Sequence, residues 1–139
     1  MTQELQKIFS FIDAHHVMSL ATYADGELNT CNLFYAFEKQ GLRFVVASAN
    51  ETLHIQQIKK NPKVAGTIVL ETKTVGKIQG LQFRGECKLL NDNSLENLYF
   101  QNFPYARALM PKLWCIEIEF FKLTDNRLGF GKKILWEKE

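Results

Sequence analysis

The chain has 139 residues, 46% of them apolar and 23% charged, with a formal net charge of +2 at pH 7. That length and balance suit one domain with a substantial core, and they exclude disordered and fibrous chains. So small a charge gives no electrostatic case for a nucleic-acid partner, and no apolar run approaches the roughly 20 residues a membrane helix needs.

Eleven phenylalanines favour an aromatic-packed, β-rich interior. The three cysteines, Cys31, Cys87 and Cys115, are odd in number and contain no CxxC pair. This is the usage of reduced thiols in a cytoplasmic protein, and each sits in a β-like run where packing accounts for it. Residues 1–10 carry no signal-peptide pattern.

Residues 3–14 place Leu5, Ile8, Phe9 and Ile12 on one face, which predicts a short amphipathic helix. His15 and His16 follow, then a strand over residues 17–23. Asp25-Gly26 marks a tight hairpin into a second strand over 28–37, and Gly41 ends the turn into a third over 42–48. Three strands joined this way form an antiparallel meander.

The next stretch, SANETLHIQQIKKNPKV over residues 48–64, reads as a strand end, a turn, a short helix and a stop at Asn61-Pro62. Asn50 occupies the expected N-cap position. A helix start presents unpaired N–H groups and the positive end of its dipole. With the hydroxyls of Ser48 and Thr52 and the imidazole of His54 nearby, this start suits a phosphate.

A fourth strand is predicted over 63–71. Residues 73–90 form one long strand or two, with Gly76, Gly80 and Gly85 at bends, bulges or close approaches. Asn93 and Glu96 have capping-box spacing at the head of a second helix that Pro104 limits. That helix contains ENLYFQ at 96–101, most of a viral-protease site used to remove tags. Its mid-chain position in an amphipathic helix marks it as native sequence. In residues 114–123, Trp114, Ile116, Ile118 and Phe120 alternate with Cys115, Glu117 and Glu119, as in a strand. A short final strand lies around Gly129 and Gly131. Six or seven strands with helical decoration indicate a mainly β fold, a β-barrel or sandwich.

No HExxH, GxSxG, Walker loop or metal-spaced His/Cys pair is present, so no metal site is assigned. Gly129 to Lys133 lacks the glycine spacing of a dinucleotide fingerprint. An enzyme built on this chain would draw its chemistry from a cofactor.

The ordered runs SLATYADGELNTCNLFYAF, LRFVVAS and ETLHIQQIKKNPKVAGTIV resemble the flavin-binding split barrel of the pyridoxamine-phosphate-oxidase-like superfamily. KTVGKIQGLQFRGE and TDNRLGFGKKILW resemble one bacterial branch of it. The resemblance implies a six-stranded antiparallel split barrel, a homodimer, and FMN at the dimer interface in an oxidoreductase-like protein of unspecified substrate. It maps the isoalloxazine ring onto Cys31, Asn32, Leu33 and Phe34. It maps the phosphate onto Ser48, Thr52 and His54, and polar contacts onto Gln82 and Arg84, which share a face by the period of two. The family pattern has arginine where this chain has Cys31, and lysine where it has His54. Lys73, Lys77, Lys132 and Lys133 are the other cations that could supply the missing charge to the phosphate, from this subunit or from its partner. Two alternatives accompany the FMN reading. One is haem, with His15, His16 or His54 as axial ligand; the other is flavin binding without turnover.

Overall fold

The order along the chain is α1 (Gln3–Asp13), β1 (Val17–Ala24), β2 (Glu27–Glu38), β3 (Arg43–Ala47), α2 (Leu53–Lys60) and β4 (Lys63–Val69). It continues with β5 (Gln79–Leu89), α3 (Asn93–Asn102), β6 (Leu113–Asp125) and β7 (Lys133–Glu137) in the computed structural model, which describes residues 2–139. All pairings are antiparallel, in the order β3-β2-β1-β4-β5-β6-β7, and β3 also pairs with β6. That last pairing closes six strands into the expected barrel. β7 is an addition on the flank of β6.

β6 serves two partners in succession. Residues 113–117 pair with β3, and residues 120–124 pair with β7. Between them the register against β5 slips: Arg84 faces Phe120 while Gly85 faces Ile118, which leaves Glu119 as the extra residue of a bulge. A Cβ at Gly85 would collide with the Glu117 carbonyl oxygen, so the close approach there requires glycine. The bulge also reverses the alternation. Phe120, expected on the face of Trp114, Ile116 and Ile118, turns outward instead, and Phe121 and Leu123 take the inner positions.

The barrel interior is an aromatic cluster in which Phe44 meets Phe37 at 4.9 Å and Phe83 at 5.0 Å between ring centroids. α1 closes one side with Ile8, Phe9 and Ile12, and the Tyr35 hydroxyl donates to the Ile12 carbonyl at 2.7 Å. α2 adds Ile55 and Ile58 to the same core. Outside the barrel, α3 packs Leu95, Tyr99 and Phe100 on Ala36, Val45 and Leu113. The ENLYFQ stretch thus contributes two buried aromatics and is integral to the fold.

Several local features differ from those the sequence predicts. α2 is capped by Thr52, not Asn50: its hydroxyl accepts the Ile55 N–H at 3.4 Å. Residues 48–51 are consumed in the turn out of β3, where the Thr52 N–H still donates back to Ala49. Asp92 rather than Asn93 caps α3, accepting from the N–H groups of Ser94 and Leu95. The segment before β5 forms a 3-10 turn at Val75–Lys77 rather than strand. Gly129 and Gly131 lie in the turn before β7, at φ of 134° and 72°, conformations that favour glycine.

Candidate functional site

Strand pairing assembles an outer surface that no single strand contains. Asn32 on β2 stands opposite Ser19 on β1, Ser19 opposite Thr67 on β4, Thr67 opposite Gln82 on β5, and Gln82 opposite Lys122 on β6. The result is a row of five polar side chains across the sheet. The Ser19 hydroxyl donates to Asn32 Oδ1 at 2.8 Å. The adjoining row is Thr30, Ala21, Ala65, Arg84 and Phe120, with the Arg84 guanidinium carbon 3.9 Å from the Phe120 ring centroid. Between the rows lies a groove of about 310 Å³, lined by Ser19, Thr30, Ala65, Thr67, Gln82 and Arg84 among others. Its floor is flat because Ala21 and Ala65 project only a methyl group. Gly66 keeps its place for the core, since a Cβ there would collide with the Phe83 ring beneath.

Of the candidate residues on β2, Asn32 and Phe34 face outward, whereas Cys31 and Leu33 pack against the core. Burial pushes the Cys31 thiol above its ordinary pKa. Phe34 is half exposed, stacked against His16 at 6.0 Å and tilted against Phe103 at 5.4 Å. Gln82 and Arg84 do share the outer face. Ser19, Thr30, Thr67 and Phe120 also line the groove, and no motif in the sequence marks them as site residues. The alternation within each strand puts Ser19 and Thr67 on one side, but only the register sets them in line.

The second cluster is at the head of α2. Ser48 Oγ lies 2.6 Å from His54 Nε2, and Thr52 Oγ1 lies 3.3 Å from the same nitrogen and 3.4 Å from Ser48 Oγ. The Trp114 indole N–H donates to the Ser48 carbonyl at 2.9 Å, tying the cluster to β6. Burial holds the His54 imidazole below its ordinary pKa, so at neutral pH it is an uncharged hydrogen-bonding group. The structure thus brings Ser48, Thr52 and His54 together, but none of them lines the groove.

Lys73, Lys77, Lys132 and Lys133 lie elsewhere. Lys73 and Lys77 belong to the β4–β5 connection, and Lys132 and Lys133 to the β6–β7 turn and the start of β7. Ser48 donates its N–H to Lys112, beside the first residue of β6, whereas these loops adjoin its last residue. The 13 residues of β6 span roughly 40 Å at about 3.3 Å each. Within one chain these lysines stand at the far end from Ser48. His15 packs on Phe11 at 4.5 Å between ring centroids, and burial, then neighbouring His16, lowers its pKa. No helix among the described residues is long and apolar enough to cross a membrane.

A family model described as pyridoxamine 5'-phosphate oxidase matches residues 4–124. A UPF0306 protein, YhbP, of Escherichia fergusonii is 36% identical over 137 residues, covering 96% of this chain and 93% of its own. Among solved structures, a haem-binding protein from Mycobacterium smegmatis superposes with a TM-score of 0.80 at 12% identity, over 99% of this chain and 59% of the other. A FAD-binding protein from Mesorhizobium loti superposes with a TM-score of 0.71 at 17% identity, over 85% and 90%. At such identities the superpositions speak for the fold alone. The extent of the family match and the near full-length likeness to YhbP identify the chain as a member of the pyridoxamine 5'-phosphate oxidase-like split-barrel family, in its UPF0306 branch.

Proposed function

We propose that the chain is an FMN-binding, flavin-dependent oxidoreductase-like protein that works in the cytoplasm as a homodimer. The observation that carries this reading is the outer groove, a flat floor of small residues flanked by the polar row from Asn32 to Gln82. A planar ring system with donors and acceptors on its edge suits such a surface. The Ser48–Thr52–His54 cluster would hold the phosphate, with the N–H groups of Leu53 and His54 at the helix start. Because that cluster lies outside the groove of its own chain, the groove of one subunit and the cluster of its partner would form the site together across a dimer. Flavin would supply the redox chemistry; Asn32, Gln82 and Arg84 would orient the ring and bond its edge.

The test is direct. The purified protein should carry, or take up, FMN that is released on denaturation, and Thr52→Ala with His54→Ala should weaken uptake while the fold survives. Absence of FMN binding at micromolar concentrations would overturn the reading. Reduction of bound FMN by NADH or NADPH, with transfer to an acceptor, would separate turnover from storage or sensing.

Haem is the second reading: His16 is exposed beside Phe34, and the haem-binding protein from Mycobacterium smegmatis shares this fold. His16 is the most accessible axial candidate, since His54 Nε2 already contacts Ser48. A Soret band on haem addition that disappears in His16→Ala would support it; an unchanged spectrum would remove it.

A further inference from the structure

A cavity of about 630 Å³ lies between α1 and the end of the barrel where β5 begins and β6 finishes, and it shares no lining residue with the outer groove. Its apolar wall includes Phe11, Leu70 and Leu123, and its polar wall includes Lys7, Asp125 and Arg127. The Asp125 side chain is 7% exposed and the Arg127 side chain 58%. Both carboxylate oxygens are committed to Arg127. Oδ1 accepts from its backbone N–H at 3.0 Å and from Nε at 3.1 Å, and Oδ2 accepts from Nη2 at 2.9 Å. These bonds hold the Asp125 carboxyl below its ordinary pKa, led by the side-chain contact with Arg127.

Capping this turn requires only the bond to the Arg127 N–H. The two further bonds add nothing to the backbone; they fix the plane of the guanidinium. Two of its five N–H groups are used, and three remain for another acceptor. The turn itself is pinned. The Asn126 side-chain amide donates to the Val75 carbonyl, its Oδ1 accepts the Gly131 N–H, and its backbone N–H donates to Ile78. Lys7 approaches from α1 on the other wall, close enough to help lower the Asp125 pKa. Two cations against one fully engaged carboxylate leave a net positive charge over an apolar-walled cavity, within the usual size range of small-molecule sites.

We propose that this cavity is a second ligand site, taking a small molecule with a flat or aliphatic apolar body and a single anionic head, carboxylate or phosphate. The head pairs with Arg127 and Lys7, and the body rests on Phe11, Leu70 and Leu123. A planar carboxylate or a phosphate can take two parallel N–H bonds from a guanidinium held in this way.

The experiment is an amide and arginine side-chain NMR titration of the full chain with two probes, indole-3-acetate and phenyl phosphate, against neutral indole-3-acetamide. Resonances of Lys7, Phe11, Leu123 and Arg127 should move with the anions, and the neutral amide should bind about tenfold more weakly. The tighter of the two anions identifies the head group. Lys7→Gln, on an exposed helix position, and the charge-neutral pair Asp125→Asn with Arg127→Gln should each weaken anion binding severalfold. The proposal fails if neither anion moves these resonances at millimolar concentration, if the amide binds as well, if Lys7→Gln has no effect, or if the shifts centre on Ser19 and Arg84.

Discussion

Ser48 and His54 meet at 2.6 Å across the turn between β3 and α2, with the imidazole drawn out of solvent and its pKa held below 6.5 by burial. A neutral Nε2 can accept the Ser48 hydroxyl; a protonated ring cannot. Because the folded-state pKa is depressed, the stabilising contribution of this group is complete above about pH 6.5 and is lost as pH falls through the folded value. His15, also lowered by burial, acts in the same direction. Urea midpoints should therefore fall between pH 7 and pH 5, and His54→Gln should remove part of that slope. An identical pH profile in the variant would contradict the assignment.

Gln57 is buried on α2 and bridges two elements. Its Oε1 accepts the Thr22 hydroxyl at 2.5 Å, and its Nε2 donates to the Glu27 carbonyl at 3.2 Å. Gln57→Leu keeps comparable bulk but strands the buried Thr22 hydroxyl. A loss of about 1–3 kcal/mol in chemical denaturation is expected, and adding Thr22→Val should recover part of it.

Gly85 and Gly80 lie on the same strand in different surroundings. A Cβ at Gly85 would strike the Glu117 backbone, which cannot give way without breaking the bulge; at Gly80 the nearest atom is the Ile68 carbonyl oxygen at 4.0 Å. Gly85→Ala should thus cost more than about 2 kcal/mol, in the range of overpacked cores, and Gly80→Ala should be tolerated. Paired thermal melts of the two variants decide the matter.

Burial pushes the Cys87 thiol up to about 12 and the Cys115 thiol up to about 11. Neither supplies appreciable thiolate at pH 8. In the native protein iodoacetamide should modify both far more slowly than after unfolding in urea, as read by mass spectrometry.

The elements with a strong local signature were legible in the sequence. The apolar face of α1, the Asp25-Gly26 hairpin and the three-strand meander all follow from spacing and turn chemistry. The cap of α2 was not, because Asn50 and Thr52 are both good capping residues and only the length of the preceding turn chooses between them. The phase of Phe120 was hidden for a different reason. A bulge depends on what the neighbouring strand does at Gly85, and strict alternation within one strand cannot register it. For the candidate site, the period of two already separates Asn32 and Phe34 from Cys31 and Leu33. The row from Asn32 to Lys122 arises only from five strands in register, and the cavity by α1 draws its walls from three distant segments.

The pairing of β3 with β6 joins Arg43 to Glu117, more than seventy residues apart in sequence. Until that contact forms, the strands can form only an open sheet in the order β3-β2-β1-β4-β5-β6, with β3 and β6 as free edges and the apolar face unsealed. Closing so long a loop costs configurational entropy before any of the packing around Phe44 and Phe83 repays it. The search for this one juncture, rather than the formation of the hairpins, should therefore set the refolding rate. A half-closed barrel is then the species most exposed to association during synthesis.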